Sequence, residues 1–230
     1  MPRLLVALSL LFAAAACAEP PLDPEATLQR VTGGTIRAGI TAHHPWTSFE
    51  EGVASGVEVE LVEDLAEELS AEVEWVQGSE EELIGTLDVG QLDLVVGGFS
   101  AESPWIEHAA ITHPYFTTRV VIAGPIDEEV PSDITGREVA VEANTEAAGI
   151  LEKTDAVVDL VEDVTEADGL VAVDDWLLDD LELRAGEVVL SETDHVVAVR
   201  LGENGWMVTV EKFLLDRADE VPDLLDEAES

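Results

Sequence analysis

Side chains suited to holding a small solute follow four predicted strands of this sequence. They lie in the stretches 43–46, 97–100, 144–145 and 174–175. These stretches contain the indole of Trp46, the hydroxyls of Ser100 and Thr145, and the carboxylate of Asp174. In open α/β sheets, ligands bind beyond the carboxyl ends of the strands. The pattern therefore predicts noncovalent capture of a small polar molecule by stacking, hydrogen bonds and charge.

Patterns for other chemistries are weak. Ser100 lies in Gly-Phe-Ser-Ala-Glu, which is not the Gly-x-Ser-x-Gly nucleophile elbow. The pairs His43-His44 and His108 with His113 lack a recognised metal-ligand spacing. No phosphate-binding glycine loop of the P-loop type is present. We predict no catalytic residue, no metal site and no cofactor.

The elements that must position these side chains alternate between strand and helix. The first half reads strand, helix, strand, helix, strand over 35–41, 57–70, 72–76, 79–90 and 92–98. Periodicity predicts that the first of these helices is acidic on its solvent face and that its apolar face holds Leu61, Val62, Leu65, Ala66 and Leu69. Ser79 is the predicted cap of the second helix. The second half reads strand, helix, strand, strand, helix over 136–145, 145–154, 156–161, 168–175 and 175–183. Alternation with nearly continuous apolar strands favours parallel sheets covered on both faces. Two such halves in 230 residues predict two small α/β lobes.

Two β-rich links, 117–125 and 194–200, connect the halves, and a final helix over 204–216 is predicted with Asn204 as its cap. A chain that crosses to a second lobe and returns is hinged by two strands, and hinge closure can enclose a ligand. The predicted division is a signal peptide, a tether, lobe 1 in two segments, and lobe 2 with the hinge strands. Their bounds are 1–16, 17–34, 35–120 plus 199–230, and 121–198.

The N-terminus predicts export. Arg3 precedes the apolar run 4–16, which is too short to span a membrane as a mature helix. Small residues lead directly into Cys17, the single cysteine, in a pattern that resembles a bacterial lipobox with alanine in place of the usual leucine. Lipidation of Cys17 would tether the protein in the cell envelope, in the periplasm or on the outer face of the cytoplasmic membrane. The alternative is ordinary cleavage near Ala16 or Ala18.

The charge of the chain is extreme. It holds 51 acidic and 10 basic residues, for a formal net charge of −41. Nucleic acid is excluded as a partner, because the two polyanions would repel each other. The acids are spread along the mature chain, and molar salt, with a Debye length of about 3 Å, would screen their repulsion. We interpret this as adaptation to high salt, with a role in solubility alone as the alternative.

An ordered series of segments resembles one protein family. The segments are GGTIRAGI…HHPW, GVEVELVEDLAEEL, VGQLDLVVGGFS, ITHPYF, DITGREVAVEANT and GENGW, between residues 33 and 215. The series is similar to the polar amino-acid group of extracellular solute-binding proteins, family 3, which serve ABC importers. The resemblance implies a type II periplasmic-binding-protein fold, with two α/β lobes and a two-strand hinge. It also implies a monomer that is not an enzyme and that works with an ABC permease.

The resemblance assigns roles to the residues at the strand ends. Trp46 matches an aromatic residue that stacks on the ligand, although it could simply cover the edge of the lobe. Ser100 and Thr145 match hydroxyls that hold a carboxylate, or else they cap helices. Asp174 matches the acid that holds an α-ammonium group, although the neighbouring Asp175 could be the cap instead. The remaining predicted ligand-binding residues are Gly98, Phe99, Trp105 and Asn144.

Trp105 departs from the family pattern. Amino-acid binders of this family have an arginine at this point of the loop, which grips the α-carboxylate as a two-pronged clamp. The second hydroxyl of the usual Gly-Thr-Thr is also missing and is replaced by Glu146. Indole faces attract cations, so we hypothesise a cationic or betaine-like solute. The alternative is that Trp105 packs on the lobe and Arg119 meets the ligand.

The sequence therefore predicts a membrane-anchored binding protein that captures a small polar, amino-acid-like solute for an importer. One alternative is a sensor or docking lipoprotein without transport. Another is a cleft enzyme of the cyclohexadienyl dehydratase type on the same fold, with His43, His44 and Glu146 as its general acid or base candidates.

Overall fold

A computed structural model describes residues 23–228, so the predicted signal peptide and Cys17 lie outside the described residues. The helices are α1 Thr27–Val31, α2 Val57–Glu68, α3 Glu80–Asp88, α4 Glu146–Leu151, α5 Asn204–Asp216 and α6 Val221–Ala228. The strands are β1 Thr35–Ile40, β2 Ser48–Glu50, β3 Val53–Ser55, β4 Glu72–Gln77, β5 Leu94–Val96, β6 Ala110–Ile111, β7 Phe116–Pro125, β8 Glu138–Glu142, β9 Val157–Val161, β10 Val171–Asp174, β11 Leu183–His195 and β12 Ala198–Val199. Between residues 23 and 228, no helix has the length and apolar character needed to cross a membrane.

Ten of the strands form two five-stranded sheets, one in each lobe, and β2 and β3 form a separate antiparallel pair. In lobe 1 the order is β4-β1-β5-β12-β6, and in lobe 2 it is β11-β7-β10-β8-β9. The members β4, β1 and β5 of the first sheet and β10, β8 and β9 of the second are parallel, as predicted. The other pairs are antiparallel, because β7, β11 and β12 belong to the passage between lobes and not to a helical crossover. The prediction of purely parallel sheets is therefore wrong at these edges.

The two long strands β7 and β11 carry the chain into and out of lobe 2. They pair antiparallel from Pro125 opposite Leu183 to Phe116 opposite His195, with a register shift on either side of Val189. Immediately beyond this pair, the chain enters the sheet of lobe 1 through β6 on one side and β12 on the other. The predicted two-strand connection between two α/β lobes is therefore confirmed.

Lobe 1 has the larger core. Helix α2 buries Leu61, Val62, Leu65 and Ala66, the apolar face predicted from its periodicity, against the sheet. Trp206 of α5 is fully buried in the same core. Lobe 2 has one α-helix among its described residues, the six-residue α4. The sheet of lobe 2 is accordingly covered by a smaller packed core than the sheet of lobe 1.

The helix caps test the local predictions. Helix α3 has the predicted Ser79 cap, completed as a capping box in which the backbone N–H of Ser79 donates to Glu82. For α5 the predicted cap is wrong, because Asn204 is its first helical residue. The carboxylate of Asp23 instead accepts hydrogen bonds from the backbone N–H groups of Gly205 at 2.6 Å and Trp206 at 3.0 Å.

The described part of the predicted tether is folded. Residues 27–31 form α1, and Val31 is fully buried in the lobe 1 core. The buried Glu203 carboxylate holds this segment by accepting the backbone N–H groups of Glu25 and Thr27 at 3.0 and 3.1 Å. The groups that order this segment lie more than 170 positions away along the chain. The predicted helix over 175–183 is wrong, since only the 3₁₀ turn Asp175–Leu177 forms there.

Candidate ligand-binding site

A cavity of about 410 Å³ lies between the lobes. Lobe 1, lobe 2 and both hinge strands line it. The lining residues are His43, His44, Pro45, Trp46 and Gly98 from lobe 1, Asn144, Thr145, Ala147, Asp174 and Trp176 from lobe 2, and Thr118, Val120, Ser191, Thr193 and His195 from the hinge strands. The carboxyl ends of β1, β5, β8 and β10 meet at this cavity, as the fold rule requires. We call it the cleft.

The structure brings most of the predicted site residues together. Five of the eight line the cleft, namely Trp46, Gly98, Asn144, Thr145 and Asp174. Phe99 and Ser100 do not, because they face a small apolar pocket beside Ile84 on the other side of the loop. The backbone of Trp105 lies in the 3₁₀ turn Pro104–His108, and its side chain lies outside the description. Ligand contact by these residues stays a prediction.

Trp46 forms a packed wall of the cleft. Its ring stacks on His195 with centroids 3.8 Å apart and meets Tyr115 edge to face at 6.4 Å. Only 5% of Trp46 is exposed. The indole thus fills the lobe edge and also lines the cavity, while its stacking on a ligand stays a prediction.

The glycine loop at the end of β5 is held by a buried carboxylate that sequence reasoning missed. Glu58 is 1% exposed, and its Oε2 accepts the backbone N–H groups of Gly97 and Gly98, each at 2.8 Å. Its Oε1 accepts the hydroxyl of Tyr115 at 2.8 Å. Burial raises the pKa of Glu58, and these hydrogen bonds oppose the rise. The N–H of Gly98, a candidate for binding ligand, is therefore already used by the protein.

A sequence signal for Glu58 exists in retrospect. The residue lies between two buried valines, Val57 and Val59, in the first turn of α2. A carboxylate in the first turn is stabilised by the partial positive charge of the helix N-terminus, and the buried valines on either side indicate that Glu58 points inward. The prediction that the acids of this helix lie on its solvent face is therefore wrong for Glu58.

His195 is a second residue that sequence reasoning missed. It lies 3% exposed at the end of β11, and its Nε2 is 2.9 Å from the hydroxyl oxygen of Thr118. Within residues 23–228, its Nδ1 has no hydrogen-bond partner. Burial, with a smaller contribution from His43, lowers the pKa of His195 to about 4. The ring beneath Trp46 is therefore neutral at neutral pH.

The wall from lobe 2 is more exposed and uses its polar groups partly for folding. Thr145 caps α4, because its hydroxyl oxygen accepts the backbone N–H of Ala148 at 3.2 Å and its hydroxyl donates to the Glu142 carbonyl at 2.7 Å. This is the helix-cap role left open by the sequence. Asn144 lies beside it with a left-handed φ of 66°, a backbone region that asparagine tolerates.

Arg119 does not line the cleft. Its Nε donates to Glu192 at 2.7 Å, and its backbone N–H donates to Asp175 at 3.0 Å. These contacts hold the guanidinium on the exposed surface of the hinge. The alternative in which Arg119 replaces the missing clamp therefore has no support in this geometry.

The charge of the cleft favours cations. Asp174 is the single carboxylate among the lining residues, and neither lysine nor arginine is among them. The half-buried indole of Trp176, which the sequence analysis did not include, faces the cavity from lobe 2. A carboxylate with aromatic faces nearby can hold an ammonium group, while an entering anion would meet no compensating cation among these residues.

Residues 36–220 match the family described as bacterial extracellular solute-binding proteins, family 3. The protein belongs to this family. It is thus a solute-binding protein of an extracellular class, as the ordered segments predicted.

Individual relatives agree with this placement. The protein is 23% identical over 134 residues to a probable histidine-binding protein of Campylobacter jejuni, and the match covers 56% of this chain and 52% of that protein. This chain therefore spans about half the length of the curated relative.

Solved structures show the same fold. An ancestral cationic amino acid solute-binding protein superimposes with a TM-score of 0.67 and 20% identity, over 89% of this chain and all of the other. The L-cystine solute receptor of Neisseria gonorrhoeae, in its unliganded open conformation, superimposes with a TM-score of 0.65. It is 17% identical in sequence, and the match covers 84% of this chain and 91% of the receptor. A further structure of the ancestral protein, described as a precursor of cyclohexadienyl dehydratase, superimposes with a TM-score of 0.53. It is 22% identical in sequence, and the match covers 87% of this chain and 97% of the other. These structures confirm the type II periplasmic-binding-protein fold.

Proposed function

We propose that this protein captures a small cationic or betaine-like solute of amino-acid size in the cleft and delivers it to an ABC importer. The observation that carries the proposal is the composition of the cleft, where one carboxylate, Asp174, faces aromatic and neutral polar groups without lysine or arginine. Names of the similar proteins support the solute class, since they include binders of histidine and of cationic amino acids.

Energetics favour a solute that is held through its cationic group over one that depends on a clamp for its carboxylate. A desolvated cation against an aromatic face gains about 1 to 2 kcal/mol, and a charge-assisted hydrogen bond to Asp174 gains about 1.5 to 3 kcal/mol. The net charge of −41 also raises the local concentration of cations around the protein. An anionic solute would be repelled by this net negative charge and by the carboxylate of Asp174, and it would meet neither lysine nor arginine among the lining residues.

The binding cycle uses the hinge. Strands β7 and β11 are the antiparallel pair that joins the lobes. A solute that contacts Trp46 from one lobe and Asp174 from the other stabilises the arrangement in which both residues line one cleft, because it binds that arrangement better than one with the lobes apart. We propose that the permease recognises this closed surface. In this account the protein is exported, works as a monomer, and is anchored to the membrane through lipidated Cys17.

A thermal-shift screen in molar salt tests the proposal. Glycine betaine, arginine, histidine, putrescine and glutamate are added to the purified protein, and a ligand at 100 times its dissociation constant should stabilise it by about 2.7 kcal/mol. We expect shifts with the cationic or betaine compounds. The proposal fails if glutamate alone stabilises the protein.

Asp174→Asn removes the charge from the cleft and should weaken binding about 10- to 100-fold, the equivalent of one charge-assisted hydrogen bond. Asp159→Asn is the matched control, because Asp159 is exposed on β9 and does not line the cleft. Equal affinity of both variants would remove Asp174 from the site.

The similarity to a dehydratase precursor is the observation that favours a second candidate function. His43, His44 and His195 line the cleft and supply groups for proton transfer, but the cleft lacks the cationic groups that a cyclic carboxylic acid would need. Incubation with prephenate or arogenate, with the ultraviolet absorbance of the product followed over time, separates the two. Turnover would replace the binding function by an enzymatic one.

A further inference from the structure

We propose that a pocket at the opposite end of lobe 1 binds a phosphate-type oxyanion. The chain has ten basic residues, and three of them, Arg30, Arg37 and Arg200, converge on one cavity of about 160 Å³. The other residues that line it are Glu25, Thr27, Gly90, Leu92 and Asp93. We call this cavity the arginine pocket. Such a convergence is unexpected by composition in a chain with a net charge of −41.

The guanidinium groups keep unused donors. Arg30 and Arg37 each donate two hydrogen bonds to the buried carboxylate of Asp93, the Arg37 pair at 2.6 and 3.1 Å. Each guanidinium has five N–H donors, so each keeps three. Arg200 donates only its Nε–H, to the Asp88 carbonyl at 3.2 Å, and forms no ion pair with any carboxylate in residues 23–228.

Guanidinium groups outnumber carboxylates among the residues that line the pocket. Asp93 is shared by two guanidinium groups, whose hydrogen bonds lower its pKa against the effect of burial, so it is ionised. Three guanidinium groups line the pocket with two carboxylates, Asp93 and Glu25. Behind this lining, Glu74 acts on Arg37, and the Glu203 carboxylate is occupied by the backbone N–H groups of Glu25 and Thr27. Planar N–H forks match the oxygens of phosphate in a bidentate manner, which is the geometry that arginine serves better than lysine. The cavity volume equals about five water molecules at about 30 Å³ each, so a phosphate ion has room.

The location of the pocket suggests a source for the anion. Asp93 precedes β5 and Arg200 follows the antiparallel β12, so the pocket lies at the amino ends of the parallel strands, away from the cleft. Asp23, bound to the start of α5, and Glu25, on the pocket rim, also lie at this end of lobe 1. Five residues lie between Cys17 and Asp23, and these six steps along the chain reach at most about 20 Å. If Cys17 is lipidated, as proposed above, this end of lobe 1 faces the lipid headgroups.

The test uses the full chain with Cys17→Ser, so that acylation plays no part, in molar salt to screen the general repulsion. Equilibrium dialysis against radiolabelled inorganic phosphate measures the site directly. We expect about one phosphate per chain, and Arg200→Gln should weaken its affinity at least tenfold. Arg184→Gln is the matched control with the same charge change, because Arg184 is exposed on β11 in the other lobe. Absence of bound phosphate, or equal weakening by both variants, overturns the proposal.

A second arm distinguishes the source. Flotation with phosphatidylglycerol vesicles should retain the chain but not its Arg200→Gln variant if the ligand is a headgroup phosphate. Phosphate binding in dialysis without retention by vesicles assigns the pocket to a free oxyanion instead. Arg200→Lys keeps the charge and loses the fork, so it should lose less affinity than Arg200→Gln and serves if that variant does not fold. Solute binding in the cleft, measured on the same variants, should be unchanged, so failure of either proposal is seen separately.

Discussion

The two walls of the cleft are built differently. On the lobe 1 side, Trp46 is 5% exposed and the glycine loop is fixed by the Glu58 carboxylate, which is 1% exposed. On the lobe 2 side, Asn144 and Thr145 are exposed, and Asp174 and Trp176 are half-buried. The lobe 1 wall is thus shaped before the solute arrives, while the lobe 2 wall carries the charge and the more accessible groups. We infer that lobe 1 supplies a fixed surface and lobe 2 supplies most of the selectivity.

The largest expected effect on stability concerns the lobe 1 wall of the cleft. Glu58→Ala would leave the N–H groups of Gly97 and Gly98 and the hydroxyl of Tyr115 without their acceptor in a buried place. At about 1 to 3 kcal/mol for each unsatisfied group, with partial relief by water, we expect a loss of about 3 to 5 kcal/mol in the free energy of unfolding. Urea denaturation measures it.

Glu58→Gln is the control, because its amide oxygen can still accept both glycine N–H groups and its NH₂ can donate to the Tyr115 oxygen. It should lose much less stability than Glu58→Ala. Equal losses would mean that the hydrogen-bond geometry at Glu58 does not hold the wall.

His195, which packs against Trp46 in the lobe 1 wall, makes the free energy of unfolding depend on pH. Its folded pKa, about 4, lies below the ordinary value of 6.5, because burial disfavours the imidazolium. The unfolded chain therefore binds the proton more readily, and this stability is present above pH 6.5 and lost as the pH falls to about 4. The full loss is about 3 kcal/mol.

Replacement of the imidazole isolates this contribution from that of the many carboxylates. In His195→Gln, the free energy of unfolding should change less between pH 7 and pH 4 than in the unmodified protein, whereas exposed His108→Gln should leave the pH dependence as it was. Unfolding by guanidinium at a series of pH values gives the slope. Identical slopes for all three proteins would contradict a buried neutral His195.

The smallest effect is expected at the lobe 2 wall of the cleft. Thr145→Ala removes the cap of α4 and should cost about 1 kcal/mol of stability, as for other N-caps. Thr145→Ser keeps the cap and should be close to neutral. If Thr145→Ala weakens solute binding far more than it lowers stability, the hydroxyl also contacts the ligand, and the division between the walls becomes sharper.

Sequence reasoning succeeded where a feature depends on neighbours along the chain. The apolar face of α2, the capping box at Ser79 and the strand-end residues of the cleft all follow from local periodicity or local order. It failed where the partner is distant. Asp23 caps α5 and Glu203 orders α1 across more than 170 residues, and no periodicity indicates such contacts.

The same limit applies to the site. Glu58 looked like one acid among many, because only the folded chain brings Gly97, Gly98 and Tyr115 to it. His195 lies in a stretch assigned to the hinge, and its place beneath Trp46 depends on how the two hinge strands return to lobe 1. Five strand-end residues of the cleft were predictable, but Trp176, His195 and the packing behind the cleft were not.

The central claim is that the cleft selects a solute with a cationic group through one carboxylate and aromatic walls. Calorimetric titration of the unmodified protein in molar salt with glycine betaine, arginine and glutamate tests it most directly. The account predicts saturable binding of glycine betaine or arginine, with one solute per chain, and no measurable heat of binding with glutamate. Tight binding of glutamate, with no measurable heat of binding for either glycine betaine or arginine, would contradict it.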